Sequence, residues 1–323
     1  MRLIATCMAS NEGDVIEAFV RHNSAYVDSV VVLDHGSLDR TPAILAALAK
    51  EGLALHHLHD ARRGFHQGER QTYLARRYLL EHDADHCFAL DADELIKAGS
   101  RAELEAALAR VPPGHAAVVP VQNYVGRGNA PSDDNPARRL TRRLTCERAQ
   151  PHKVVLPRRF ATEADLHVSV GNHAVVRVAD GRAEPIPHVV LPGVFLAHFP
   201  VRSADQVARK VLLGWLGHRL AMPATGGEGL ASHWRGLFDD LAAGSLVDEA
   251  LTRRAVAACL GGPIQADGKP REVSDDELMP DPMPTPYELR YSDGATLAPM
   301  AMLAAWANRL VSDIKSEARE PIG

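Results

Sequence analysis

Residues 87–94 read Cys87-Phe88-Ala89-Leu90-Asp91-Ala92-Asp93-Glu94, an apolar run followed at once by three carboxylates. The run predicts a short strand buried on both faces, with the acids at its carboxyl end. In open α/β sheets that edge is where ligands bind. Two carboxylates one residue apart can meet one hard divalent cation from one side and leave its other positions to phosphate oxygens. The motif by itself also fits a second reading, an acidic cap on a helix starting near Leu95, with Glu94 favouring the helix dipole.

The segments before it decide between the two. Leu3 to Met8 and Ser29 to Leu33 read as buried strands, and so do Leu53 to Leu58 and His86 to Leu90. Between them, Asp14 to Asn23, Thr41 to Gly52 and Glu69 to Glu81 carry helical periodicity. Thr41 is the expected cap, Pro42 the first helical residue and Gly52 the stop of the second helix. Alternation of this kind predicts an α/β fold with a mostly parallel central sheet and helices on both faces. Each strand then delivers a polar cluster to the same sheet edge. These are Asn11-Glu12 after the first, Asp34-His35-Gly36-Ser37-Leu38-Asp39 after the second, Arg62-Arg63 through Arg70 after the third, and the acidic motif after the fourth. A carboxylate after the second strand suits ribose hydroxyls or a base N–H. Arg62, Arg63 and Arg70 suit phosphates through bidentate contact.

The chain resembles family-2 glycosyltransferases. The resemblance rests on Asn11-Glu12, on Asp34-x-Gly36-Ser37-x-Asp39-x-Thr41 and on Asp91-x-Asp93-Glu94, and it covers roughly residues 1–100. Leu90-Asp91-Ala92-Asp93-Glu94, Gly171-Asn172-His173 and His198-Phe199-Pro200-Val201-Arg202-Ser203 with Lys210 look like a bacterial branch related to the family-92 type. The resemblance implies a GT-A-like fold, a nucleotide-diphosphate sugar donor (UDP favoured), Mn²⁺ or Mg²⁺ as cofactor, and inversion at the anomeric carbon. Asn11, Asp34, Arg62, Arg63, Arg70 and Asp91 are then the nucleotide-binding candidates, and Asp91, Asp93 and His198 the metal ligands. For the base that activates the acceptor, the candidates are Asp133, Asp134 and His173. His35 stands where many family members carry a second acid, which bears on the choice of base.

Beyond residue 100 the sequence predicts a helix near 101–110, a strand over 116–121, a loop over 122–137 and short strands between 153 and 190. Helices follow over 203–220, capped by Ser203, and 297–317, with Pro/Gly-rich connections at 223–230 and 261–295. The expected division is a nucleotide-sugar domain over 1–200, with its core in 1–125, and a helical extension over 201–323.

The chain has 323 residues and a formal net charge of −5, so no global basicity points to nucleic acid as a partner. No apolar run approaches the roughly 18 residues of a membrane span, and the start of the chain lacks the apolar core of a signal peptide. Four cysteines without paired spacing suit reduced thiols in the cytosol. The eight basic residues between Arg138 and Arg159, set against Glu147 alone, are a solvated face or a surface for an anionic acceptor or a membrane. The expected setting is cytoplasmic, with peripheral contact at the inner membrane face, a glycan or lipid-linked acceptor, and a homodimer as secondary expectations. The alternatives are a nucleotide-sugar-binding protein without turnover and another metal-dependent nucleotidyl or phosphoryl enzyme. The former would cluster mutually repelling carboxylates to no purpose. The latter would begin with a Gly-rich phosphate loop, or would place its Asp-x-Asp after the first strand.

Overall fold

The structure is a computed structural model that describes residues 1–60, 66–126, 133–147, 152–221, 232–244, 248–260, 271–292 and 298–317. Its first half alternates β1 (Leu3–Ala9), α1 (Ile16–Asn23), β2 (Ser29–Asp34), α2 (Thr41–Glu51), β3 (Leu55–His59), α3 (Gln67–Glu81) and β4 (His86–Leu90). The strands lie in the order β3-β2-β1-β4, all parallel, with Ala9 opposite Asp34 and Asp34 opposite His59. That register brings the carboxyl ends of β1, β2 and β3 level, and β4 ends beside Cys7 of β1. The strands are apolar on both sides because helices cover both: Phe19, Leu45 and Leu48 pack on one face, Leu74, Tyr78 and Leu79 on the other.

Directly after the acidic motif the chain forms β5 (Glu94–Lys97), a strand, so the capped helix near Leu95 does not exist. The helix comes later, as α4 (Arg101–Leu108), capped by Ser100. Thr41 likewise is not a cap: it lies inside α2, and its hydroxyl accepts from the Glu12 N–H at 2.9 Å. Gly52 ends α2 in the left-handed region as expected.

The sheet continues through β6 (Ala116–Val125), which runs on past the expected end at Val121. After α5 (Pro136–Arg139) and β7 (Arg142–Leu144) comes β8 (His152–Pro157), which lies between β4 and β6 and is antiparallel to both. A separate antiparallel sheet joins β9 (Leu166–Val168), β10 (Val175–Ala179) and β11 (Arg182–Pro185). Strands β12 (His188–Val190) and β13 (Phe195–His198) both pair with β6 in parallel. The central sheet is therefore mixed, but β1–β4, β6, β12 and β13 share one direction. β13 also pairs antiparallel with β5, which sets His198 opposite Glu94 and, across β6, opposite Asn123.

The remaining helices are α6 (Ala204–Ala221), α7 (Ser232–Ala242), α8 (Asp248–Cys259) and α9 (Pro299–Glu317). Ser203 caps α6 as expected: its hydroxyl accepts from the Gln206 N–H at 3.1 Å. Val207 and Val211 of α6 pack with Leu237 and Leu251 into a small core of their own. Among the described residues no helix is long and apolar enough to cross a membrane. The four cysteines are free, with Cys7 and Cys87 buried in β1 and β4.

The C-terminal segment is stitched onto the first half. β14 (Leu278–Pro280) adds to β7. The fully buried carboxylate of Glu17 on α1 accepts the consecutive N–H groups of Arg290, Tyr291 and Ser292 at 2.7–2.8 Å, and Arg21 Nε donates to it as well. Removing this acceptor orphans three backbone donors and the Nε–H of Arg21, whose terminal nitrogens stay on Glu51. Glu17→Ala should cost about 3 kcal/mol or more of unfolding free energy in urea titrations; a loss below about 1 kcal/mol would contradict the role given to this carboxylate.

Candidate active site at the carboxyl edge of the sheet

The turns after β1 and β2 are built by their own polar residues. Asn11 adopts a left-handed φ of 57°, its side-chain oxygen accepts from Leu38 N–H at 2.7 Å, and its own N–H donates to Ser37 Oγ at 2.8 Å. Asp39 accepts from Gly13 N–H at 3.0 Å and Thr41 N–H at 2.9 Å, locking the two turns together. Asp34 is buried and accepts from Ser37 N–H at 3.2 Å and His59 Nδ1 at 2.9 Å. His35 uses Nδ1 on the Asp60 carbonyl at 3.0 Å, and burial lowers its pKa, so its ring is neutral. Arg309 of α9 donates to the Gly36 carbonyl at 2.7 Å, and a Cβ on Gly36 would come within 2.6 Å of its guanidinium. The last helix thus reaches the turn that the sequence assigns to the nucleoside.

Arg70 is fully buried and donates from Nε to Asp60, just past β3, at 3.0 Å, so it is not part of a solvated basic patch. Arg62 and Arg63 lie outside the described residues.

The two aspartates of the acidic turn have different surroundings. Asp91 Oδ1 accepts from Gln67 Nε2 at 2.8 Å and from Asn172 Nδ2 at 3.1 Å, while Lys153 Nζ donates to Oδ2. Lys153 is buried and also meets Glu94 Oε1 at 3.1 Å and the Gly171 carbonyl at 2.9 Å. Glu94 closes the turn by accepting from Asp91 N–H at 2.9 Å. Burial pushes the Glu94 carboxyl up to about 7 against the pull of Lys153.

Asp93 is 2% exposed and faces the other way. Its Oδ2 accepts from Lys210 Nζ at 2.9 Å and from Arg202 Nη1 at 3.4 Å, and its Oδ1 lies 3.5 Å from His198 Nε2. Burial alone would raise its pKa, but Lys210, His198 and Arg202 outweigh that and hold it well below the usual carboxylate range. Arg202 commits its N–H groups to Asp14 (2.6 and 3.1 Å), Glu12, Asp93 and the Phe199 carbonyl. Arg209 adds longer contacts to Asp14 at 3.6 Å and Asp39 at 3.4 Å.

Six carboxyl groups (Glu12, Asp14, Asp39, Asp91, Asp93, Glu94) thus face four fixed cations (Lys153, Arg202, Arg209, Lys210), and even with Glu94 protonated the acids outnumber these cations by one. Burial, with Asp93 and Asp14 nearby, raises the Glu12 pKa against Arg202 and Lys210. Among the described residues no three His, Cys, Asp or Glu side chains converge to hold a metal unaided. A divalent cation nevertheless fits at Asp93. Oδ1 and His198 Nε2, 3.5 Å apart, are spaced as neighbouring ligands that each lie about 2.1 Å from one ion. Diphosphate and water oxygens would complete the shell.

Among the described residues no hydrogen bond or ion pair joins Asp133, Asp134 or His173 to Asp93. Asp133 caps the turn before α5 by accepting from Asn135 N–H at 2.7 Å, and Asp134 is exposed. His173 is exposed with Nδ1 on the His152 carbonyl at 2.8 Å. Its neighbour Asn172 is the member of that triplet that touches Asp91.

The described members of the basic stretch from Arg138 to Arg159 are largely paired with acids of this chain, Lys153 in the interior and most others at the surface. Arg138 pairs with Glu288, Arg143 with Asp281, Lys153 with Asp91, Arg158 with Asp83 and Arg159 with Glu163. Lys153 is therefore a site residue that charge counting assigned to the surface. Gln67, Asn123 and Glu147 carry no signal in the sequence, because only strand register and loop closure bring them in.

No family model matches the chain, and no curated protein matches it. Three solved structures show a distant likeness. TarS residues 1–349 of S. aureus is 13% identical, with 74% of this chain and 71% of that one aligned at a TM-score of 0.36. The mannosyltransferase PcManGT of Pyrobaculum calidifontis, solved with GDP-Man and Mn²⁺, is 17% identical over 76% of each chain at 0.37. Glucosyl-3-phosphoglycerate synthase of Mycobacterium tuberculosis, solved with Mn²⁺ and UDP-glucose, is 16% identical over 70% of this chain and 81% of that one at 0.33. Likeness at that distance leaves the chemistry to be argued from this chain's own residues.

The Lys153 cluster makes stability depend on pH. Between its ordinary value of 4.5 and about 7, Glu94 holds a proton in the folded chain that the unfolded chain releases, so folded stability falls as pH rises through that window. Removing Lys153 takes away the cation that opposes the burial of Glu94, so the Glu94 pKa rises further. Lys153→Met should therefore lower the melting temperature more at pH 8 than at pH 5; equal losses at both would contradict this electrostatic account.

Proposed function

We propose that the protein is a metal-dependent, inverting glycosyltransferase that moves a sugar from a nucleotide-diphosphate donor, UDP-linked by preference, to a hydroxyl of a glycan or lipid-linked acceptor at the cytoplasmic side of the cell. The observation that carries the reading is the surroundings of Asp93. One carboxylate oxygen is held by fixed cations and the other faces an imidazole nitrogen at ligand spacing, at the edge where three further polar strand ends meet.

As the glycosidic bond breaks, its electron pair goes to the leaving diphosphate oxygen. Groups already in place to meet that charge cost no reorganisation at the moment of reaction. The Lys210 side chain is 32% exposed although its ammonium sits on buried Asp93 Oδ2 at 2.9 Å, which makes it the cation of the cluster suited to meet a phosphate oxygen. Arg202 has spent its donors on carboxylates and a carbonyl, so its part is to hold Asp93, Glu12 and Asp14 in place. Asp93 and His198 would hold Mn²⁺ or Mg²⁺, which supplies Lewis-acid charge to the diphosphate. Asp91, fixed by three donors, is the group for the ribose. Attack by the acceptor hydroxyl on the face opposite the leaving group inverts the anomeric carbon. Of the three base candidates His173 retains the best claim. Its side chain reaches solvent, but partial desolvation, helped by Lys153 nearby, lowers its pKa, and with Nδ1 on a carbonyl the neutral ring offers Nε2 to take the hydroxyl proton.

UDP with Mn²⁺ should raise the melting temperature by several degrees, and Asp93→Asn should remove the Mn²⁺-dependent part. No shift with any nucleoside diphosphate plus metal would sink the reading. Slow metal-dependent hydrolysis of a donor sugar separates an enzyme from a binding module, which would bind without releasing sugar.

A further inference from the structure

Glu147 follows β7, belongs to no motif and touches neither aspartate of the acidic turn. Its two carboxylate oxygens nevertheless clasp one residue: Oε1 accepts from the Asn123 N–H at 2.7 Å and Oε2 from Asn123 Nδ2 at 2.7 Å. A carboxylate only accepts, so this contact decides which way the buried amide faces. The Asn123 oxygen is turned to His198, 2.8 Å from Nδ1. An amide oxygen also only accepts, so Nδ1 must carry the imidazole proton. In the neutral ring Nε2 is then the lone pair, facing Asp93 Oδ1 across 3.5 Å, the place that a proton fills when the ring is charged. Two acceptors held face to face call for a positive centre between them.

We infer that Glu147 is a positioning residue that, through Asn123, fixes the His198 tautomer so that Nε2 is offered as a ligand to a divalent cation at Asp93. The inference rests on the metal reading above and extends it to a residue outside the ligand set, since outer partners of a ligating histidine set its tautomer and ring orientation. Glu147 also occupies a backbone donor at the edge of β6, and the test must separate that structural use from the tautomer.

Glu147→Gln makes the separation. Glutamine keeps the shape and can still accept from the Asn123 N–H, but its amide can donate to the Asn123 oxygen. Asn123 can then turn round, and His198 can carry its proton on Nε2. Mn²⁺ binding in the presence of UDP, read by electron paramagnetic resonance, should weaken at least about tenfold with little change in melting temperature. In a His198→Gln background the same substitution should change Mn²⁺ affinity less than about twofold, because the path to the ion is already cut. Unchanged Mn²⁺ affinity in Glu147→Gln, or equal losses in both backgrounds, would overturn the inference. Asp93→Asn keeps the two readings distinct. If it binds Mn²⁺ as tightly as the parent, the metal site itself is wrong; if it loses the ion while Glu147→Gln does not, only the role of Glu147 fails. Should Glu147→Gln fold poorly, ¹⁵N-histidine NMR of the unaltered protein reads the tautomer directly. In the neutral ring the Nδ1–H tautomer of His198 is expected, and a neutral ring with its proton on Nε2 contradicts the inference.

Discussion

The buried guanidinium of Arg202 is the contact on which the site depends. It joins Glu12 and Asp14, beyond the end of β1, to Asp93 in the turn after β4, and it enters from the segment that leads into α6. Buried carboxylates of like charge at neighbouring strand ends repel, and taking any one of them out of water without a partner costs several kcal/mol. A cation whose donors are all committed resolves the repulsion and dictates the geometry together. It also explains why α6 is part of the site: without Arg202 just ahead of it and Arg209 and Lys210 on it, Glu12, Asp14 and Asp93 lose their counter-charges.

The compensation is deliberately incomplete in one place. Asp91 is closed off by Lys153, Gln67 and Asn172, whereas Asp93 keeps one oxygen turned to His198. The paired strands β5 and β13 make that difference, because their register puts His198 beside the acidic turn. The same turn therefore has one carboxylate with both oxygens taken by donors, although its side chain is 31% exposed, and one nearly buried carboxylate that keeps an oxygen turned to His198.

Much of this was legible in the residues. β4 runs over the predicted His86–Leu90, and the alternation of the first hundred residues was enough to place Asn11, Asp34 and Asp91 on one edge. Periodicity is local, and it failed where the outcome is settled by distant partners. Glu94–Lys97 is a strand because β13 pairs with it, although its acids suit a helix start equally well. Lys153 looks like one more surface cation until β8 inserts between β4 and β6 and buries it against Asp91. Asn123 was expected in a loop, yet β6 runs through it, and Glu147 reaches it only after the chain turns back through β7. His198 was found from motif likeness, but the partner that orients it was not, since an Asn and a Glu 24 residues apart leave no pattern in a sequence.

The central claim is that the open oxygen of Asp93 and His198 Nε2 form the cation end of a nucleotide-sugar site. Anomalous diffraction at the manganese edge, from crystals grown with Mn²⁺ and UDP, tests it most directly. The account predicts a peak bonded to Asp93 Oδ1 and His198 Nε2, with the UDP diphosphate on its open side. A peak seated on Asp91, or none within bonding distance of Asp93, would contradict it.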